Sequence, residues 1–151
     1  MVNYITALET IPRYNKKPTL FLAGGITNCP EWQDEMINML KDSNWFLLNP
    51  RRKNFPIHDP NASLEQIHWE YQHLRFADAI SFWFCKETLC PIVLYELGAW
   101  SMTNKPLFIG IDPDYQRRQD VEIQTSLARP TIKIVYSLSD LCEQINKTEI
   151  L

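Results

Sequence analysis

Residues 79–111 read AISFWFCKETLCPIVLYELGAWSMTNKPLFIGI, and this stretch sets the architecture. Its opening, residues 79–84, is apolar nearly throughout, as in a strand buried on both faces. Pro91 suits a first helical turn, and residues 91–103 read as a helix. Residues 107–111 (LFIGI) form a second apolar run, closed by Asp112-Pro113. A strand, a crossover helix and a further strand imply a parallel pair, because a right-handed crossover returns the chain to the same end of the sheet.

The same alternation extends to both sides. Residues 19–23 (TLFLA) read as a strand ending in the tight turn Gly24-Gly25. Asn28 or Cys29 is expected to cap a helix opening at Pro30, with Trp32, Met36, Ile37 and Leu40 as its apolar stripe. Residues 45–48 (WFLL) are a strand closed by Asn49-Pro50, and a polar loop runs from Arg51 to Asn61. Ser63 and Gln66 have capping-box spacing before a helix carrying Leu64, Ile67, Tyr71 and Leu74. Downstream come a charged helix over 117–128, a strand over 132–136 (IKIVY), and a last helix capped by Ser137 or Ser139. The expectation is an α/β fold: a three-layer, doubly wound sandwich around a five-stranded parallel sheet, flavodoxin-like or Rossmann-like. Residues 1–17 are read as an N-terminal arm and 18–151 as a single domain, in keeping with roughly 100–200 residues per domain.

Composition narrows the function classes. The chain has 151 residues, 45% hydrophobic and 22% charged, which excludes a disordered chain. Its formal charge of −3 gives no basic footprint, so no nucleic-acid partner is expected. No apolar run approaches the roughly 18 residues that cross a membrane, so no membrane partner is expected either. Residues 1–17 lack the pattern of a signal peptide. Cys29, Cys85, Cys90 and Cys142 fit no zinc or CxxC spacing and are expected to be four reduced thiols in a cytoplasmic protein. His68 and His73 are wrongly spaced for a shared metal on one helix face, so neither metal nor cofactor is expected.

In a doubly wound sheet, ligands bind at the carboxyl ends of the strands, which here are Gly24-Gly25, Asn49-Pro50-Arg51, Phe84-Cys85 and Asp112-Pro113. The glycines either let a ligand approach the backbone or simply make a tight turn. Helical spacing sets Glu96 among Ile92, Val93, Ala99 and Trp100, beside an apolar stripe where a carboxylate needs a partner or a role. Asp78 precedes a strand and, on position alone, reads as a helix-to-strand turn residue before it reads as a functional one. Arg117, Arg118 and Asp120 open a helix and either contact a polar ligand or neighbouring subunit, or form a solvated face.

Three segments resemble the nucleoside 2-deoxyribosyltransferase family over residues 18 to 126. FLAGGI (Phe21 to Ile26) is similar to its YLAGP opening, ADAISFWF (Ala77 to Phe84) to its aspartate-then-strand element, and LYELGAW (Leu94 to Trp100) to its ELG-A helix. The resemblance implies transfer of a 2-deoxyribosyl group between nucleobases. In it Glu96 attacks the anomeric carbon to give a covalent deoxyribosyl-enzyme, and Asp78 serves as the strand-three acid. It implies a small-molecule 2'-deoxynucleoside and a free nucleobase as partners, and a homo-oligomer with shared active sites. Phe21, Gly24, Gly25, Asn49, Arg51 and Asp120 are the candidate substrate-binding residues.

The chain departs from the family pattern at three places. Many members have Tyr at Phe21, Pro at Gly25, and Asp six residues before the nucleophile, where Cys90 stands here. Asp120, Arg118 or Glu70 are candidates to replace that acid. The tail, Thr148 to Leu151, does not match the C-terminus that reaches the site in some members. Two other readings stand beside the transferase. One is an N-glycosidase hydrolysing deoxynucleosides or their 5'-monophosphates, with Arg51, Arg52, Arg117 and Arg118 available for a phosphate. The other is a non-catalytic nucleotide-binding sensor domain.

Overall fold

A computed structural model describes residues 2–150; Met1 of the expected arm and Leu151 of the expected domain lie outside the described residues. Five strands, β1 (Tyr4–Thr6), β2 (Thr19–Gly24), β3 (Phe46–Asn49), β4 (Ala79–Phe84) and β5 (Leu107–Ile111), form one sheet. Five helices accompany them: α1 (Trp32–Met39), α2 (Ala62–Phe76), α3 (Pro91–Ser101), α4 (Arg118–Ala128) and α5 (Leu138–Asn146). The strand order is β1-β3-β2-β4-β5 and every pairing is parallel, giving the expected three-layer α/β architecture.

The register assigns the two faces. Leu22, Ser81 and Phe108 are aligned across the sheet, as are Gly24, Trp83 and Gly110. Side chains alternate along a strand, so these two rows share one face. Trp32 of α1 packs over Gly24, and Leu141 of α5 lies against Gly110, so α1 and α5 cover that face. On the opposite face Phe21 meets Trp69 of α2 at 6.2 Å between ring centroids. β2 and β4 are buried along their whole lengths, as apolar runs covered on both sides require.

Two strands differ from expectation. The segment read as a polar arm contributes β1, which pairs Ile5 with Leu48 at the sheet edge. Three residues are too few to show a periodicity. The strand expected over 132–136 reduces to one bridge, Gly110 to Val135. The main chain there has little freedom: Ile132 N–H still bonds Arg129 at the end of α4, and Ser137 already caps α5. Helix starts also shift. α1 begins at Trp32 rather than Pro30, and α2 begins at Ala62. The Ser63–Gln66 capping box does not form: Ser63 lies inside the helix, and Gln66 Oε1, the acceptor such a box needs, takes Arg52 Nε instead.

Candidate active site

The chain leaves β2 toward β3 on one side and leaves β4 toward β5 on the other. The crevice between the β2 and β4 carboxyl ends is therefore the topological switch point, where open α/β sheets bind ligands. A cavity of about 550 Å³ opens there. The loop after β2 (Gly25 to Asn28) and the loop after β4 (Thr88, Cys90) line it, and α2 and α3 close it with Gln66, Glu70, Val93 and Glu96.

Glu96 is half-buried on α3 and lines this cavity. Loss of water around it, reinforced by the nearby Glu70 charge, pushes its carboxyl up to about 8. Burial raises Glu70 as well, while a hydrogen bond from Gln66 pulls the other way. Gln66 is fixed from both ends. Its Oε1 accepts from Arg52 Nε at 2.9 Å. Its amide nitrogen then donates to the Pro50 carbonyl at 2.6 Å and to Glu70 Oε1 at 3.1 Å. Arg52, Gln66 and Glu70 thus form one hydrogen-bonded relay on the wall facing Glu96. Two interacting carboxyls in a poorly hydrated cavity hold their protons as a pair, one giving where the other accepts.

The two glycines of the β2 turn have packing reasons. A Cβ on Gly24 would lie 2.1 Å from Trp32 Cζ2, so the indole occupies the space of a side chain. The Gly25 carbonyl accepts from Trp32 Nε1 at 2.8 Å and from Gln33 Nε2 at 3.3 Å. A Cβ on Gly25 would meet the sulfurs of Cys29, Cys85 and Cys90 at 2.8, 3.0 and 3.0 Å. Both glycines nonetheless line the cavity, as does Phe21.

The remaining expected residues lie elsewhere. Asp78 sits before β4, at the end of the sheet away from Glu96. Its carboxylate accepts from Thr19 N–H at 2.7 Å and from the Thr19 hydroxyl at 3.1 Å, tying β2 to β4. Asp78 therefore does not join Glu96; a residue that starts a parallel strand is a strand length from the site. Asn49 is buried and accepts from Arg51 N–H at 2.9 Å, shaping the turn after β3. Arg51 turns back to brace the β2–α1 loop, donating to the carbonyls of Pro30 and Cys29 and to Gln33. Asp120 pairs with Arg117 at 3.3 Å in a separate groove of about 430 Å³ between α3 and α4.

Their places in the cavity are taken by Arg52, Phe55, Ile57, Gln66 and Glu70. The Arg52 guanidinium lies 4.8 Å from the centre of the Phe55 ring. The spacing of Gln66 and Glu70, four apart on one helix, was the signal for their shared face.

The expectation of four reduced thiols is overturned: a disulfide joins Cys29 to Cys85. These residues are 56 positions apart and meet only because β2 and β4 are neighbours. Cys90 and Cys142 are free and buried. Cys29, Cys85 and Glu87 bring ligand-type atoms within 4.8 Å of one another, but the disulfide withdraws both thiolates from metal binding. Among the described residues, no helix is long and apolar enough to cross a membrane.

The sequence model of a family described as nucleoside 2-deoxyribosyltransferase like matches residues 17–115. The matched span runs from the start of β2 past β5 and includes Gly24, Glu70 and Glu96. No curated protein matches the chain significantly.

Proposed function

Because the chain belongs to the nucleoside 2-deoxyribosyltransferase-like family, we propose that it transfers a 2-deoxyribosyl group between nucleobases, with Glu96 as the nucleophile. The observation that carries this reading is Glu96 in a switch-point cavity, opposite a second carboxylate held by a relay. In the first step the ionised Glu96 carboxylate attacks the anomeric carbon of a bound 2'-deoxynucleoside. The glycosidic C–N bond breaks, and the base departs with a proton supplied by Glu70. A second base then attacks the same carbon, Glu96 leaves, and Glu70 recovers a proton from the incoming base. Two displacements give net retention.

Glu96 holds its proton because the cavity strips it of water and Glu70 lies nearby. Turnover needs that proton moved to Glu70 or the departing base, which is why a coupled pair suits the reaction better than an isolated carboxylate. Apolar walls from Phe21, Ala23 and Val93 restrict competing water. No cofactor or metal enters this scheme. We also propose that the protein works in the cytoplasm and forms a homo-oligomer, the latter supported by the bare outer face of α3, on which Ile92 and Tyr95 are exposed.

Arg52 favours one second reading. Its guanidinium lines the cavity and offers a charge that a 5'-phosphate would take. A deoxynucleoside 5'-monophosphate N-glycosidase would use the same Glu96 with water as acceptor.

The test is chromatographic: 2'-deoxyinosine or its 5'-monophosphate, with and without free adenine or cytosine, alongside Glu96→Ala. A new deoxynucleoside that needs acceptor base and disappears in the variant is the expected result. Base release indifferent to acceptor would favour the glycosidase. No turnover of either substrate would leave a non-catalytic nucleotide-binding domain.

A further inference from the structure

Three buried sulfurs gather about Gly25, in the wall of the cavity. Cys29 and Cys85 are joined, and the free Cys90 Sγ lies 3.8 Å from Cys85 Sγ. The space that lets them gather is the missing side chain of Gly25, whose hypothetical Cβ would touch all three. The fourth cysteine, Cys142 of α5, has no part in this cluster.

The three sulfurs come from segments that shape the cavity. Cys29 ends the loop after β2, its carbonyl held by Arg51. Cys85 follows β4. Cys90 is the N-cap of α3, the helix that carries Glu96, and has a left-handed backbone with φ 52°. A non-glycine residue held there marks a position fixed by its surroundings rather than by its own preference. Cys90 also lines the cavity.

We propose that Cys29, Cys85 and Cys90 form a thiol–disulfide exchange site in which the cross-link moves between Cys29–Cys85 and Cys85–Cys90. The Cys90 thiolate attacks Cys85 Sγ, forming the Cys85–Cys90 bond as the Cys29–Cys85 bond breaks. The bonding electron pair leaves on Cys29 Sγ, which takes up a proton equivalent to the one Cys90 lost. No oxidant is consumed. One state ties the β2–α1 loop to the sheet; the other ties the start of α3 and frees that loop. Disulfides in reducing compartments are mostly transient and redox-sensing, so this reading fits the cytoplasmic setting proposed above, although the exchange does not depend on it. Burial pushes the Cys90 thiol up, with the Glu87 charge adding to it. The exchange therefore quickens with alkalinity, by about tenfold per pH unit below the titration of that thiol.

The experiment needs no substrate and so stands apart from the transferase assay. The folded, oxidised protein is held at pH 7 and at pH 9 without added oxidant. It is then unfolded in the presence of excess N-ethylmaleimide, and its linked peptides are mapped by mass spectrometry. Expected are two populations, one modified at Cys90 and one at Cys29, each also modified at Cys142, with the second appearing faster at pH 9. Modification at Cys90 and Cys142 with none at Cys29, unchanged over time at both pH values, would overturn the proposal. A second arm oxidises Cys29→Ser in a glutathione buffer. A Cys85–Cys90 link is expected, and separate labelling of both thiols in a protein with native circular dichroism would equally defeat it.

Discussion

Glu96 shows what one residue gives up for a reactive position. Its carboxyl is raised from 4.5 to about 8, so the folded state keeps a proton that the unfolded chain releases. Its contribution to stability is full below about pH 4.5 and is lost as pH rises toward 8. Calorimetric melting of the wild type and Glu96→Gln across that range checks this. The wild type should lose melting temperature with rising pH more steeply than the variant; parallel slopes would contradict the cause assigned here. Glu70→Gln should bring the Glu96 titration down, read from the carboxyl signal in infrared or carbon NMR titration rather than from activity, since the Glu70 charge is one source of the elevation. Gly24 makes the opposite kind of demand, for space. Gly24→Ala sets a methyl against the Trp32 ring and the Trp83 carbonyl, and overpacking of this kind costs about 1–3 kcal/mol. Urea denaturation should show the midpoint drop, and an unchanged midpoint would mean that the indole moves freely.

At the scale of elements, legibility followed length. β2, β4 and β5 were readable because an apolar run of five or six residues between turn signals fits little besides a buried strand. β1 has three residues and draws its order from β3, which no local pattern records. The 132–136 segment has β-forming residues but touches β5 through Val135 alone, so tertiary context overrode propensity. Capping was legible where a side chain performs it: Ser137 Oγ accepts from Asp140 N–H at 3.0 Å and starts α5. Ser137→Ala should cost about 1 kcal/mol in denaturant unfolding, within the 0.5–2 kcal/mol usual for such caps. No loss would assign the start of α5 to its packing against β5 instead. The candidate site divides the same way. Glu96 stood out as a carboxylate in an apolar helix. Arg51 was the expected substrate contact, but the turn after β3 sends it to the β2–α1 loop and its neighbour Arg52 to the cavity.

Across the whole molecule, α3 is the anomaly. It is apolar nearly all round, yet buries only Val93 and Leu97. Ile92, Tyr95 and Met102 are 64, 78 and 80% exposed, next to the cavity mouth and the groove with α4. The space beside Gly98 is open. Contiguous apolar surface of this kind marks an interaction face. If subunits pair across it, Tyr95→Lys should shift the light-scattering mass of the eluted protein toward the monomer while leaving its circular dichroism native. A wild type that elutes as a monomer at micromolar concentration would remove this face from the proposed assembly.

The position of β1 has a consequence in time. Tyr4 aligns with Leu47, so β1 leaves the ribosome 43 positions ahead of its partner. At about 5–20 residues per second, that is a delay of several seconds. Meanwhile β2 is also made, and it pairs with β3 through Thr19 and Phe46 on the other side. β1 therefore waits unpaired until β3 is made, and β3 then has two flanks to fill, the outer by β1 and the inner by β2. Synthesis slowed just after residue 49 would lengthen the interval in which β3 presents an open flank, and with it the opportunity for a neighbouring nascent chain to pair there.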